Sequence, residues 1–255
     1  MQFSLPPFKV ENYNETGFLS PLNLFTDSEI SEFREQFDEL EKRTGKETSQ
    51  IGLIDVHFKE RFVWEMATDP RLLDLIKSLL GENLVLLATH FFCKYPLLKK
   101  EHFVGWHQDV TYWGLEPSEA HSVWIAIDDS DTENGCMRVI PISHRQGIFP
   151  HETSELEGNL LSINQEIPSQ HFDEKQAVDI CLRPGQVSIH DGLLLHGSNP
   201  NKSRRRRCGL TVRFVPSHVR QTRLNSKRQK WKPILLHGKN ENTFARSTLP
   251  FPLKK

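Results

Sequence analysis

The residues with the clearest chemical potential lie in the tetrapeptide Trp106-His107-Gln108-Asp109. If this segment forms a β-strand, the side chains of His107 and Asp109 point to the same face, because strand side chains alternate with a period of two. An imidazole nitrogen and a carboxylate oxygen would then meet at one point. The spacing therefore predicts two ligands of one metal ion.

The chain contains a second histidine that is followed two residues later by an aspartate, in His171-Phe172-Asp173. This pair lies in the polar segment IPSQHFDEKQ, which contains few strand-forming residues. We predict a surface loop for it, since irregular polar segments run over the protein surface. His171 is therefore an internal control for His107.

A third ligand is predicted at His196, which ends an apolar run in a segment that is typical of a strand, a turn and a returning strand. Two histidines and one carboxylate can bind Fe(II) and leave coordination positions open for reactants. Zinc hydrolases also use three protein ligands, so these side chains alone leave both metals possible. Arg207 on the returning strand favours iron, because its guanidinium can bind the carboxylate of a cosubstrate through two parallel hydrogen bonds.

Three further polar residues lie close to these candidates in the sequence. His190 and Asp191 are adjacent on a predicted strand and cannot both face the site. Arg213 has the same strand parity as Arg207, but six residues at about 3.3 Å each separate the two by roughly 20 Å. We expect Arg213 to pair with an acid at the far end of the barrel, and the alternative is an anchor for an anionic substrate.

Several segments in combination resemble the phytanoyl-CoA dioxygenase family of Fe(II)- and 2-oxoglutarate-dependent oxygenases. They are HQD, the pair Asn134-Gly135 with RVIPISH after it, and HGSNPNKSRRRR. The resemblance extends from Gly17 to Pro216. It implies an iron site that is formed by His107, Asp109 and His196. It also implies a 2-oxoglutarate site that is lined by Arg207, Ser198, Trp124 and His90.

The resemblance also implies a reaction. Fe(II), 2-oxoglutarate and O2 would be the cofactor and cosubstrates, and succinate and CO2 would be released as an unactivated C–H bond is hydroxylated. Relatives that halogenate have Ala or Gly at the position of Asp109, so the aspartate favours hydroxylation. The substrates of the family differ widely, and we expect a small polar metabolite or a natural-product intermediate.

Helices are predicted in the first third of the chain. Asp27 to Thr44 places four apolar residues at spacings of 3, 4 and 3, which is typical of one face of an amphipathic helix. A second helix is predicted from Pro70 to Leu80, because proline is favoured at the first helical position and Gly81 follows the end.

From Asn83 onward, short β-rich runs alternate with Pro, Gly and Asn, which is typical of antiparallel sandwiches and barrels. We therefore predict an α+β fold, a double-stranded β-helix (jelly roll) with flanking N-terminal helices. A single oxygenase domain is expected to comprise a helical part (1–82), the jelly-roll core (83–216) and a basic C-terminal extension (217–255).

The composition is that of a globular protein, with 255 residues, 32 basic and 33 acidic side chains and a net charge of -1. Apolar stretches fall short of the roughly 20 residues that cross a bilayer, and the N-terminus lacks the features of a secretory signal. A cytoplasmic enzyme without a membrane partner is expected. The four cysteines contain no C-x-x-C pair, and we predict buried free thiols.

A non-enzymatic alternative comes from the stretch Lys202 to Lys232, which contains 12 Lys or Arg and no Asp or Glu. A jelly-roll module could use this stretch to bind nucleic acid or another polyanion. The favoured interpretation is a solvated face on which Arg204, Arg205 and Arg206 point into solvent, because runs of like charge are common there. A nucleic-acid partner is therefore not expected.

Overall fold

The computed structural model describes residues 3–96, 101–154, 157–161, 165–225, 228–242 and 244–253. The α-helices in these ranges are α1 (Pro7–Thr16), α2 (Asp27–Thr44), α3 (Lys46–Ile51), α4 (Arg61–Ala67) and α5 (Pro70–Leu80). The strands of the first half are β1 (Phe18–Asn23), β2 (Leu84–Lys94), β3 (Val104–His107), β4 (Leu115–Glu116), β5 (His121–Ala126) and β6 (Met137–Val139). Those of the second half are β7 (Glu152–Thr153), β8 (Gln165–Glu166), β9 (Val178–Ile180), β10 (Gln186–Asp191), β11 (His196–Ser198), β12 (Arg207–Pro216), β13 (Arg220–Gln221) and β14 (Ile234–His237).

Two antiparallel sheets form the body of the described chain. The six-stranded sheet has the order β1-β10-β5-β12-β2-β14, and the four-stranded sheet has the order β3-β11-β6-β9. Side chains of both sheets line one internal cavity, so the sheets pack face to face. This arrangement confirms the predicted α+β jelly roll.

The two predicted helices are confirmed with the expected bounds. α2 begins at a capping box, in which the Thr26 hydroxyl accepts a hydrogen bond from the Glu29 N–H and the Glu29 carboxylate accepts one from the Thr26 N–H. Its apolar stripe is buried. Asp69 caps α5, and Gly81 follows its last residue.

β12 is buried along its whole length, and its side-chain parity determines what each face contacts. Its even-numbered residues, Cys208, Leu210, Val212 and Phe214, belong to the core cluster that also contains apolar residues of α2, α4 and α5. Its odd-numbered residues include Arg207, Thr211 and Arg213, and these line the cavity between the sheets. One strand therefore supports the helical layer and presents polar groups to the interior.

Two strands of the six-stranded sheet lie outside the predicted core of residues 83–216. β1 falls within the predicted helical part, and β14 falls within the predicted C-terminal extension. Both are edge strands, and β1 contains Pro21, which a sheet tolerates only where no ladder hydrogen bond is needed. That proline removed the alternating pattern by which the strand could have been recognised.

The cysteine prediction holds for three of the four residues. Cys93, Cys136 and Cys208 are buried, whereas Cys181 is exposed, and all four are free thiols. Cys181 follows the short strand β9, which is an edge strand of the smaller sheet in the described part of the chain. Among the described residues, the structure has no helix that is long and apolar enough to cross a membrane.

Candidate active site

His107, Asp109 and His196 converge between the two sheets. His107 ends β3, Asp109 begins a short 3-10 turn two residues later, and His196 begins β11 directly opposite His107 in the strand register. One potential ligand atom from each lies within 4.8 Å of the other two, and all three side chains are buried. No other group of three such side chains is present in the described part of the chain.

Backbone carbonyls orient both imidazoles. The Nδ1 atoms of His107 and His196 lie 2.9 Å from the carbonyl oxygens of Gly105 and Leu194, respectively. Because a carbonyl oxygen only accepts, each Nδ1 must carry the proton, and each Nε2 keeps its lone pair for a metal ion. Burial, together with the nearby His107 and His190, lowers the pKa of His196 well below its usual value, which favours the neutral form that binds metal.

Asp109 is fixed as a carboxylate. The Ser122 hydroxyl donates a hydrogen bond of 2.7 Å to its Oδ2 atom, and the Arg213 guanidinium lies 3.6 Å from its Oδ1 atom. Burial alone would raise the pKa of Asp109, but Arg213 and the imidazoles of His107 and His190 outweigh it and hold that pKa well below the usual range. An ionised, oriented carboxylate is the form that ligates a metal.

His190 joins this group, and Asp191 does not. The Nε2 atom of His190 lies 3.6 Å from the Oδ2 atom of Asp109, and its ring centroid lies 4.6 Å from that of His196. The Oδ1 atom of Asp191 instead accepts a hydrogen bond of 2.8 Å from the Leu193 N–H. The expectation that only one of the two neighbours faces the site is confirmed.

Arg207 is a buried cation without a counter-ion. It is 3 % exposed and forms no ion pair within the described ranges. Its guanidinium carbon lies 4.5 Å from the centroid of the Trp124 ring, and its Nε lies 3.5 Å from the Ser130 hydroxyl oxygen. Burial lowers the pKa of Arg207 to about 10. Because an uncompensated buried charge is costly, such a site favours a ligand with a carboxylate.

A glycine allows Trp124 to pack against the strand that carries Arg207. A Cβ atom at Gly209 would lie 2.0 Å from the Cζ2 atom of Trp124. A side chain at this position would therefore displace the indole ring from beneath the guanidinium.

Most of the predicted site residues line one cavity between the sheets: His107, Asp109, Trp124, His196, Ser198 and Arg207. His90 is not among the residues that line it. It lies on the wall of a larger, adjoining cavity, and its Nε2 atom is 2.6 Å from the carbonyl oxygen of Ile51. Its contact with 2-oxoglutarate stays a prediction.

Lys94 is a buried polar residue of the site that the sequence analysis missed. It is 1 % exposed and lies opposite Arg207 in the β2–β12 register. Its Nζ atom donates to the Ser198 hydroxyl at 2.6 Å, to the Gly135 carbonyl at 3.2 Å and to the Asn199 carbonyl. A lysine within the apolar run LVLLATHFFCK is the signal that could have identified it, since lysine is seldom fully buried without partners.

The prediction for Arg213 is partly wrong. Arg213 does pair with an acid, but that acid is Asp109 at the centre of the site and not a residue at the far end of the barrel. Arg207 and Arg213 line the same cavity. The expected separation of roughly 20 Å between the two residues was that of an extended backbone. Both side chains are long, and both extend into the same cavity.

The second histidine–aspartate pair lies at the surface, as predicted. His171 ends the 3-10 turn Ser169–His171, and the Asp173 carboxylate accepts a hydrogen bond of 3.0 Å from the Lys175 N–H. The pair thus caps a turn and takes no part in the candidate metal site.

In the arginine run before β12, Arg204 and Arg205 are exposed as predicted, whereas Arg206 is not. Arg206 is part-buried, with its Nε 2.8 Å from an Asp128 carboxylate oxygen and an Nη 2.6 Å from an Asp38 carboxylate oxygen. Arg205 pairs with Asp131 at 2.7 Å. Of the three arginines in this run, Arg204 is the one that is exposed and forms no ion pair with another described residue. Acidic residues distant in sequence cover this run, and they reduce the positive surface that a polyanion could contact.

The sequence profile described as Phytanoyl-CoA dioxygenase (PhyH) matches residues 13–209. The chain belongs to this family. Peroxisomal phytanoyl-CoA dioxygenase of Homo sapiens is 28 % identical over 228 residues, which are 80 % of this chain and 66 % of the human protein. Ectoine dioxygenase of Bordetella bronchiseptica is 24 % identical over 76 % of this chain and 70 % of its own length.

Solved structures agree with this family assignment. The structure described as "non-heme monooxygenase; ThoJ apo" has a TM-score of 0.76 and 26 % identity, and covers 92 % of this chain and 85 % of its own. "CytC3 with Fe(II) and alpha-ketoglutarate" has the same fold, with a TM-score of 0.70 and 20 % identity over 98 % of this chain and 96 % of its own. The chain is therefore an Fe(II)- and 2-oxoglutarate-dependent oxygenase that uses O2, and its His-Asp-His donor set suits Fe(II).

Proposed function

We propose that this member of the phytanoyl-CoA dioxygenase family hydroxylates an unactivated C–H bond of a small polar metabolite or natural-product intermediate, with release of succinate and CO2. One observation carries the proposal. Three oriented ligand groups, on His107, Asp109 and His196, share a buried cavity with the uncompensated cation Arg207.

The Nε2 atoms of His107 and His196 and the Asp109 carboxylate would hold Fe(II). Ser122 fixes the carboxylate rotamer through its hydrogen bond to Oδ2. Groups that orient ligands in this way contribute strongly to metal affinity. Bound Fe(II), 2-oxoglutarate and O2 together supply the oxidising power for cleavage of a C–H bond.

Arg207 would bind the distal carboxylate of 2-oxoglutarate through a bidentate, charge-assisted contact. Trp124 packs against the guanidinium and limits its movement. Lys94 holds the Ser198 hydroxyl in place through its hydrogen bond of 2.6 Å. Burial and the nearby Arg207 lower the pKa of Lys94 well below its usual value, which favours a neutral amine there. These residues position a dianion and exclude water from it.

Asp109 supports hydroxylation over halogenation. A carboxylate at this position occupies the coordination place that a halide ion would need. The organic substrate would enter through the larger cavity of about 690 Å³, whose wall includes His107 and Asp109. A C–H bond that is presented there lies next to the metal ligands.

The non-enzymatic alternative loses its main support in this structure. Its basic stretch is divided among buried residues such as Arg207, ion-paired residues such as Arg206, and residues such as Lys232 that line the larger cavity. Arg220, Arg223, Arg228 and Lys230 are exposed, but the stretch as a whole does not form the single solvated basic face that this alternative needs.

The test is turnover with Fe(II), ascorbate and 2-oxoglutarate across a panel of metabolites, with succinate and product mass as the readouts. We expect succinate formation that rises with a suitable substrate, together with a product heavier by one oxygen atom. Protein loaded with Zn(II) is the matched control and should form no succinate. A halogenated or desaturated product, or no substrate-dependent succinate, would contradict the proposal.

A further inference from the structure

The larger cavity combines an apolar wall with a basic rim. The apolar part near the metal ligands includes Phe58, Phe92, Trp113, Leu160 and Trp231. A volume of about 690 Å³ is of the size of a ligand pocket for small organic molecules. The apolar wall indicates that the substrate has a carbon skeleton able to replace water there.

Five cations line the same cavity, namely Lys59, Arg213, Lys230, Lys232 and Arg246. Besides the candidate metal ligand Asp109, the acidic residue on this wall is Asp55. Arg213 pairs with Asp109. The other four cations form no ion pair with an acidic residue in the part of the chain that the structure describes. The cavity wall therefore carries a net positive charge that the protein itself does not balance.

Three of the five cations, Arg213, Lys232 and Arg246, act on the same acidic residue, Asp55. Burial raises the pKa of Asp55, and the Thr89 N–H and the charges of Arg213, Lys232 and Arg246 oppose that rise. Arg213 is 9 % exposed, and its buried Nε atom has no hydrogen-bond partner. Lys232 and Arg246 are exposed, so the basic groups extend from the metal site to the cavity mouth.

The backbone holds Lys232 and Arg246 close together. The Arg246 N–H donates a hydrogen bond of 3.0 Å to the Pro233 carbonyl, and the Leu235 N–H donates one of 2.9 Å to the Arg246 carbonyl. The Arg246 guanidinium lies 4.4 Å from the centroid of the Phe58 ring. These contacts fix the Arg246 side chain beside the apolar wall and hold the backbone next to Lys232 against the same segment.

Trp231 anchors the same segment from the other side. Its indole N–H donates a hydrogen bond of 3.0 Å to the Trp113 carbonyl, and the two indole rings meet edge to face at 6.2 Å. The residue before Lys232 is thereby attached to the turn that follows Asp109. The hydrogen bond and the ring contact thus connect the segment at the cavity mouth with the turn that begins at Asp109.

We propose that the substrate is an organic anion, with an apolar skeleton and one carboxylate or phosphate group, and that Lys232 and Arg246 bind the acidic group at the cavity mouth. The inference rests on the proposed function, because it names the substrate class of the same site. The skeleton extends past Trp113 and Trp231 toward the metal ligands. A neutral or cationic substrate would leave the basic rim without a partner.

The test is calorimetric titration of octanoate and octyl phosphate, as probes, into protein loaded with Fe(II) and 2-oxoglutarate under anaerobic conditions. Octanamide is the uncharged counterpart. We expect at least one of the two anions to bind about tenfold or more tightly than the amide, as expected for charge-assisted hydrogen bonds. Screening by salt should weaken anion binding and leave amide binding nearly unchanged.

The variant Lys232→Gln/Arg246→Gln should lower the affinity for the anions about tenfold and leave that for octanamide unchanged. Lys202→Gln/Arg204→Gln removes two exposed cations outside the cavity and should change neither affinity. Preference for octanoate would identify a carboxylic acid, and preference for octyl phosphate a phosphoric ester. Equal binding of octanamide, no binding of either anion, or unchanged anion affinity in the first variant would overturn the proposal.

Binding in this experiment does not depend on turnover. If the anions bind as expected but no substrate yields an oxygenated product, the substrate class stands and the proposed hydroxylation is wrong. If hydroxylation is found only for neutral compounds, the proposed function stands and the substrate class is wrong.

Discussion

The inner and outer ends of the cavity system are built in different ways. At the inner end, polar groups lie on strands that pair in register, as His107 does with His196 and Lys94 with Arg207. At the outer end, Lys232 and Arg246 come from irregular segments next to a short edge strand, and neither forms an ion pair with another described residue. The sheets thus fix the candidate groups for metal and cosubstrate, and in the proposed substrate site the later segments would select the organic substrate.

This contrast has a functional consequence. Substitutions at the inner end should change the affinity for iron or 2-oxoglutarate, whatever the organic substrate is. Substitutions at the outer end should change only the affinity for the substrate, because loops on a rigid scaffold carry specificity.

The largest effect is expected for Asp109→Ala, which removes a metal ligand. We expect succinate formation to fall at least about 100-fold, because even groups that only orient ligands contribute about 10- to 100-fold. Circular dichroism should show an intact fold. His171→Ala is the matched control and should keep nearly full turnover, and a large loss there would show that the wrong histidine–aspartate pair had been assigned.

Arg207→Ala should raise the KM for 2-oxoglutarate about tenfold or more while iron affinity changes little. Each charged hydrogen bond contributes about 1.5 to 3 kcal/mol, and the buried cation has no other counter-ion. Arg205→Ala removes an exposed, ion-paired arginine and should leave both quantities unchanged. Equal effects of the two substitutions in steady-state kinetics would contradict a specific cosubstrate site at Arg207.

Ser122→Ala removes the hydroxyl that orients Asp109. We expect Fe(II) to bind about tenfold more weakly, at the lower end of the range for groups that orient metal ligands. Ser188→Ala is the control, since Ser188 lies on the neighbouring strand β10 and its buried hydroxyl has no hydrogen-bond partner among the described residues. If metal titration gave the same affinity for both variants, the orientation of Asp109 would not depend on Ser122.

Arg213 lies at the boundary between the two ends, and its substitution should have the smallest effect on turnover. Removal of one partner from a buried ion pair costs about 3 to 5 kcal/mol, so Arg213→Ala should lower the melting temperature of metal-free protein by about 10 °C. Added Fe(II) should restore part of this loss by supplying positive charge at Asp109. An unchanged melting temperature with a selectively raised KM for the organic substrate would instead make Arg213 a substrate anchor.

Local patterns were sufficient to predict helices α2 and α5 and two of the candidate metal ligands, whereas helices α1, α3 and α4 were not predicted. The capping residue and apolar stripe of α2 lie within one segment of sequence, and so does the spacing of His107 and Asp109. The partners of Lys94 and Asp109 were not predictable in this way. They depend on the register between strands that are far apart in the chain, such as β2 and β12.

The outer end was the least predictable part. β14 contains only four residues and its partner β2 is about 150 positions earlier, so no short-range signal places Lys232 at the mouth of the larger cavity. The stretch of basic residues was visible in the sequence, but its division into buried, ion-paired and cavity-lining groups follows from tertiary contacts alone.

The most direct test of the central claim is the absorption spectrum after anaerobic addition of Fe(II) and 2-oxoglutarate. If His107, Asp109 and His196 hold iron beside Arg207, a weak visible charge-transfer band should appear and saturate at one iron per chain. His196→Ala should abolish the band, and His171→Ala should retain it. Absence of the band in the unaltered protein, or its persistence in His196→Ala, would contradict the assignment of this site.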